Sequence, residues 1–213
     1  MYKLFNRVFK WDIDAYICFR KKPYSIVNFE LPTKLLNDGW VVRQVDFSCQ
    51  NDKSKLANLF LEAYTDFQTM EKVNLEIESA IRRKDLCFVL ANSVRFAGMA
   101  WLGFENNEML KTVGNFVEEK ENVIVEYRVY VSPELRGFGI QRVINNQLQL
   151  VAKKLAVKWV YGFVGVKNTP SVNNFMKTYK YYKLVYHVTL EIPFVKMHCF
   201  PKLALENWTK INR

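Results

Sequence analysis

Val131-Ser132-Pro133-Glu134-Leu135-Arg136-Gly137-Phe138-Gly139-Ile140 is the stretch on which the fold turns. Ahead of it the chain alternates, with Val123, Val125, Tyr127, Val129 and Val131 on one side and Ile124, Glu126, Arg128 and Tyr130 on the other. Period two predicts a strand with one core face and one face left for chemistry. Ser132-Pro133 ends that strand, because proline has no N–H to give to a ladder. Beyond the glycines, Ile140, Val143, Ile144, Gln147, Leu148, Val151 and Leu155 mark one face of a long amphipathic helix. A strand passing through such a turn into a helix presents consecutive backbone N–H groups at a positive helix end, which suits phosphate oxygens. Glycine at 137 and 139 leaves no Cβ in the path of a diphosphate and takes up positive φ at little cost.

Upstream, Trp40 to Phe47 reads as a strand, and Leu56, Leu59, Phe60, Ala63 and Phe67 place a helix over Lys55 to Phe67. A second helical stretch surrounds Leu75 to Ile81. Leu86 to Ala91 and Val94 to Phe104 form a hairpin across the turn-like Asn92-Ser93, and a polar stretch runs from Glu105 to Asn122. Downstream, Trp159 to Val166 is a strand, Thr169-Pro170 reads as an N-cap with proline at the first helical position, and Tyr182 to Phe194 is β-rich. The order βααββ, βαβα, ββ is that of a mixed α+β fold. Residues 1–39, aromatic and basic with Pro23 and Pro32, read as an extension packed on a domain over 40–194, with Tyr16 to Phe19 a short strand candidate; 195–213 is a C-terminal tail.

Composition narrows the function classes. Half of the 213 residues are hydrophobic, enough for one sizeable core. No run approaches a membrane span, and Lys3, Arg7, Lys10, Asp12 and Asp14 interrupt the start where a secretory leader needs an apolar run, so a soluble cytoplasmic protein is the expectation. Cys18, Cys49, Cys87 and Cys199 are scattered, and with His187 and His198 they make no metal-ligand spacing, so no metal and free buried thiols are expected. The net charge of +10 favours anionic partners. Its clusters, such as Arg20-Lys21-Lys22 and Arg82-Arg83-Lys84, are short and no nucleic-acid motif accompanies them, which makes a nucleic-acid binder the minor alternative.

At Val131 to Ile140 the chain resembles the GNAT superfamily of N-acetyltransferases, whose signature is a hydrophobic strand, then V-x-P-x-x-R-G-x-G-I, then a helix. The resemblance extends over roughly Trp40 to Phe194. It implies a splayed mixed sheet flanked by helices and an acetyl-CoA or other acyl-CoA cosubstrate. Main-chain groups of Val129 and Val131 would hold the pantetheine arm. Amides from Arg136 through Gly137, Phe138, Gly139, Ile140, Gln141 and Arg142 would hold the diphosphate. Gln141 stands where the family has a small residue. Asn168 in Asn168-Thr169-Pro170-Ser171 resembles the family asparagine that reaches the pantetheine, with helix capping as its competing role.

The chemistry implied is direct attack of an amine on the thioester. Main chain near Val129 would stabilise the oxyanion, and Glu126 is the candidate base, with an ion pair to Arg128 as its competing role. Glu62, Asp66 and Glu105 are alternative bases. Phe175 falls where the family often has a proton-donating tyrosine; with the helix shifted Tyr179, Tyr181 or Tyr182 would substitute, with aromatic packing as the favoured competing role of each. The acceptor pocket would draw on Leu56 to Ile81 and Tyr182 to Phe194. A GNAT-shaped module that binds acyl-CoA without turnover is the alternative, and the sequence leaves the acceptor, the acyl length and the oligomeric state open.

Overall fold

The computed structural model describes residues 10–23, 30–64, 69–104, 122–165, 167–178, 181–192 and 195–199. It contains β1 (Lys10–Lys21), α1 (Thr33–Asn37), β2 (Val41–Gln44), α2 (Gln50–Ala63), α3 (Met70–Arg82), β3 (Leu86–Ala91), β4 (Phe96–Gly103), β5 (Val123–Val131), α4 (Ile140–Lys154), β6 (Trp159–Gly165), α5 (Thr169–Thr178), β7 (Tyr181–Ile192) and β8 (Val195–Cys199). The chain forms two compact units, Lys22–Val160 and Met1–Lys21 with Tyr161–Arg213.

In the larger unit β2, β3, β4 and β5 make an antiparallel sheet in that order. Pleating sends alternate residues to opposite faces. Phe88, Leu90, Ala100, Leu102 and Ile124 meet Ile140, Val143, Ile144, Leu148 and Ala152 of α4, closed off by Leu31, Leu35 and Trp40. On the other face Trp101 stacks on Phe47 and meets the rings of Phe60 and Tyr127. Each fully buried leucine or isoleucine in these layers contributes about 1.5–3 kcal/mol. Gly98 lets α4 seat directly on the sheet, since a Cβ there would stand 3.2 Å from Ile144 Cδ1.

The helices begin earlier than their apolar periodicity suggests. α2 starts at Gln50 rather than Lys55 because its first turn is polar: Asp52, buried, takes two bonds from Arg43 at 2.6 and 2.7 Å and one from the Asp46 amide at 3.0 Å. That carboxylate also sits favourably at the positive helix end. α3 starts at Met70, capped by Thr69, whose Oγ1 accepts from the Lys72 amide at 3.3 Å. The β3–β4 hairpin closes as its sequence predicts, with Asn92 Oδ1 accepting from the amides of Val94 and Arg95 at 2.9 and 2.8 Å. α4 ends on Ala156 at φ 53°, where the Val157 amide reaches back to the Ala152 carbonyl at 3.0 Å.

In the other unit the strand order is β6, β1, β7, β8. β1 pairs antiparallel with β7 from Lys10 opposite Glu191 to Arg20 opposite Tyr181, much longer than the Tyr16 to Phe19 strand expected. Val195–Cys199, read from sequence as part of a tail, is the strand β8 and pairs with β7. α5 begins one residue earlier than its proline suggests: Asn168 is the cap, accepting from the Ser171 amide at 3.3 Å, with Thr169 and Pro170 inside the first turn. Phe175 is buried over Gly162, where a Cβ would lie 2.4 Å from the ring.

Candidate active site

The turn between β5 and α4 is built in three steps. The Ser132 amide donates to the Ala97 carbonyl at 2.9 Å, ending the ladder. A single 3-10 turn, Pro133–Leu135, follows, and its last bonds run from the amides of Leu135 and Arg136 to the carbonyls of Ser132 and Pro133. Gly137 at φ 86° and Gly139 at φ 74° then reverse the chain, and Gly139 is the left-handed N-cap of α4. A salt bridge from Arg95 to Glu134 braces the outside of the turn.

Among the described residues the amides of Gly137, Phe138, Gly139 and Ile140 have no backbone acceptor, whereas those of Arg142 and Val143 both reach the Gly139 carbonyl, at 2.9 and 3.3 Å. A Cβ built on Gly137 or Gly139 would meet nothing within 4 Å. Among the described residues no packing contact therefore calls for a glycine at either position, and both serve the positive backbone angles of the turn. The first turn of α4 carries no acidic side chain, so its positive end is uncompensated from within, while Lys153 and Lys154 match the negative end. These features fit an anion of diphosphate kind.

The other residues singled out from sequence lie as follows. Ile140 is buried in the core, Gln141 and Arg142 are half-buried in the first turn of α4, and Phe138 is exposed at the tip. Arg136 folds its side chain back: Nε donates to the Val131 carbonyl at 3.1 Å and the guanidinium lies 5.8 Å from the Tyr130 ring centre. Glu62 accepts from the Tyr130 hydroxyl at 3.1 Å. Burial, then this bond, raises the Tyr130 pKa. Asn168 belongs to the other unit, and its side-chain oxygen caps α5. Asp66, Glu105 and Tyr179 fall outside the described residues, and Tyr181 and Tyr182 lie in β7.

β5 itself departs from the expected alternation. Gly98 faces Val131 and Met99 faces Tyr130, but Trp101 faces Tyr127, so Arg128 and Val129 together oppose the single Ala100. This is a β-bulge, with Arg128 at φ 50° in the left-handed region. A non-glycine residue there costs about 1–3 kcal/mol. The extra residue exchanges the faces. Val129 and Val131 pack with Ile124 on the α4 side, while the Arg128 guanidinium lies over Phe60 and Tyr64 on the α2 side.

Both faces from Val123 to Tyr127 are buried, which corrects the expectation of one face left for chemistry. Glu126, opposite Leu102, is 1% exposed on the α4 side, and Arg128 pairs with Glu76 at 3.0 Å. Sequence reading missed this slip because the usual signal, a glycine at the bulge, is absent.

Beneath the bulge is a polar cluster that sequence did not announce. Tyr127 donates to Asp85 Oδ2 at 2.7 Å, and Arg83 Nε donates to the same oxygen at 2.9 Å. Burial, then the Asp85 charge, pushes the Tyr127 hydroxyl far above its ordinary pKa, so it stays a donor. Burial also takes Tyr64 up to about 12. Cys49 and Cys87 are free thiols, and burial raises the latter. Among the described residues no group of three or more His, Cys, Asp or Glu is placed to hold a metal, and no helix is long and apolar enough to cross a membrane.

The sequence matches the model of the acetyltransferase (GNAT) family over residues 53–180. No curated protein matches it. Among solved structures it is similar to a GCN5-related N-acetyltransferase from Sphaerobacter thermophilus, at 15% identity and TM-score 0.58, over 91% of this chain and 56% of that one. A Drosophila protein is similar at 9% identity and TM-score 0.58, over 87% and 53%. The aminoglycoside N-acetyltransferase AAC(6')-Iy, solved in complex with CoA, is similar at 12% identity and TM-score 0.57, over 75% and 95%. The chain spans 64%, 21%, 53% and 56% of the first four matched structures, less than two thirds of each.

Proposed function

We propose that this chain, which belongs to the acetyltransferase (GNAT) family and has the α+β GNAT fold, acts as an acyltransferase. The proposed reaction is transfer of an acetyl or other acyl group from its coenzyme A thioester to a primary amine by direct attack. The observation that carries it is the cluster of amides at Gly137, Phe138, Gly139 and Ile140 at the tip of α4, which among the described residues have no backbone acceptor and no atom within 4 Å of a Cβ built on either glycine. The CoA held by the AAC(6')-Iy structure is in keeping with this.

In this reading Gly137 to Ile140 bind the diphosphate, with Gln141 and Arg142 beside them in the first helical turn. Val129 and Val131 line the pantetheine arm through main-chain groups. The Val131 carbonyl already accepts from Arg136, so the arm takes its second lone pair. Main chain at the bulge stabilises the oxyanion. Asn168 takes the capping role at α5 through its side-chain oxygen.

Glu126 is the proposed proton acceptor, and because it is buried the proton reaches it through substrate or water. Unchanged turnover and pH–rate profile in Glu126→Gln would remove it from the mechanism. The decisive experiment is calorimetry with acetyl-CoA, longer acyl-CoA thioesters and free CoA, joined to a thiol-release assay over a panel of amines. No binding of any thioester would overturn the reading.

A second reading, binding without turnover, has one observation in its favour: Phe175 is packed over Gly162 and has no proton to give a departing thiolate. Binding with no thiol release across the panel would favour it.

A further inference from the structure

We infer that Arg128 and Glu76 form a positioning clamp that holds the β5 bulge open and so sets the main chain on which acyl transfer is proposed to occur; this rests on the acyl-CoA reading above. The residue at such a bulge is ordinarily glycine, since φ 50° suits it and disfavours side chains that carry a Cβ. Arginine gives the backbone no such ease, so the bulge must be held by what the side chain touches.

Those contacts are specific. The guanidinium lies 5.4 Å from the Phe60 ring centre and 5.6 Å from that of Tyr64, both on α2 or at its end, and Nη2 is 3.0 Å from Glu76 Oε1 on α3. Glu76 is itself held 3.7 Å from Arg83. Arg83 is anchored to Ser79 at 2.7 Å and to Asp85 at 2.9 Å, and Asp85 accepts from Tyr127, the residue before the bulge. Two consecutive residues of β5 are thus tied to α3 and its terminal turn. Paired cation–π and ionic contacts of this kind, shielded at 24% and 27% side-chain exposure, are worth more than surface ion pairs. Val129, which must share Ala100 with Arg128, is the residue whose amide and carbonyl the clamp aims.

The test compares Arg128→Ala, Arg128→Gly and Glu76→Gln. Alanine loses the clamp and keeps the backbone penalty; glycine loses the clamp and removes the penalty. With acyl-CoA and a reactive amine, kcat is expected to fall roughly tenfold or more in Arg128→Ala and to return to within about threefold of the parent in Arg128→Gly, with KM for the amine little changed. Glu76→Gln is expected to lower kcat in the parent background and to add nothing in Arg128→Gly. Amide hydrogen exchange at Val129 to Val131 is read in parallel and is expected to quicken in Arg128→Ala and not in Arg128→Gly.

Equal losses in the alanine and glycine variants, or no loss in either, would overturn the clamp. If the parent protein neither binds nor turns over any thioester, the acyl-CoA reading fails while the exchange data still judge the clamp: quickening in alanine but not glycine upholds it, and any other pattern removes it.

Discussion

Replacing Gly139 by alanine separates the two jobs assigned to that residue. A Cβ at 139 meets nothing within 4 Å, so no clash enters and the structural cost is that of holding alanine at φ 74°. That is about 1–2 kcal/mol, a fall in Tm of roughly 2–8 °C for a chain of this size. If a diphosphate occupies the cup, the methyl group stands in its place or turns the amides of Gly139 and Ile140 away. Loss of one charge-assisted hydrogen bond costs about 1.5–3 kcal/mol, hence roughly a 10- to 100-fold drop in acetyl-CoA affinity or kcat/KM. The control is S-acetyl-pantetheine, which carries the same thioester and no diphosphate. Steady-state kinetics on both substrates, beside a thermal melt, are expected to show Gly139→Ala impaired on acetyl-CoA and nearly normal on the truncated thioester. Equal impairment on both, or none on acetyl-CoA in a folded variant, would refute the assignment of the cup to diphosphate.

Tyr127→Phe removes a donor to the buried Asp85 oxygen and is expected to cost about 1–2 kcal/mol, whereas Asp85→Ala breaks the buried pair with Arg83, which keeps Ser79 and Glu76, and is expected to cost about 3–5 kcal/mol, both read from urea unfolding. Gly162→Ala places a methyl 2.4 Å from the buried Phe175 ring; it is expected to destabilise by about 1–3 kcal/mol, with Phe175→Leu recovering part of the loss in the double variant. The Asp52 carboxyl is held below its ordinary pKa, first by its bonds from Arg43. A group depressed in the folded state stabilises above its unfolded pKa of about 3.9 and loses that contribution as pH falls through the folded value. Stability measured between pH 6 and pH 3, points chosen around that roughly 3.9 value, is expected to fall less steeply in Asp52→Asn than in the parent; parallel curves would contradict the pairing.

Where periodicity is strong and local, the sequence spoke clearly. Leu86 to Ala91, Val123 to Val131 and the face of α4 are read at or near their observed bounds because apolar spacing and a breaker agree. The polar first turns of α2 and α3 were invisible to the same test, since their stability comes from Asp52, Arg43 and the Thr69 cap rather than from a hydrophobic stripe. The bulge was beyond reach for a deeper reason. The contact that clamps it, a salt bridge between Glu76 and Arg128 on separate elements, exists only after α3 and β5 have come together, and no glycine at 128 advertises the bulge. For the candidate site, the glycine turn was legible because its geometry is written in consecutive residues. That the Arg136 amide is engaged by Pro133 while Gly137 to Ile140 have no backbone acceptor among the described residues depends on the 3-10 turn, which Ser132-Pro133 marked only as a stop.

The ladder between β1 and β7 has a bearing on how the molecule comes to be made. Lys10 finds its partner at Glu191 and Arg20 finds Tyr181, so a strand synthesised before Lys22–Val160 waits for one synthesised after it. Lys22–Val160 can condense while translation continues, since β2 to β5 and α4 lie within it. The early strand must meanwhile persist with both edges unmated, and its closure across most of the chain is the slow, late event that topology imposes.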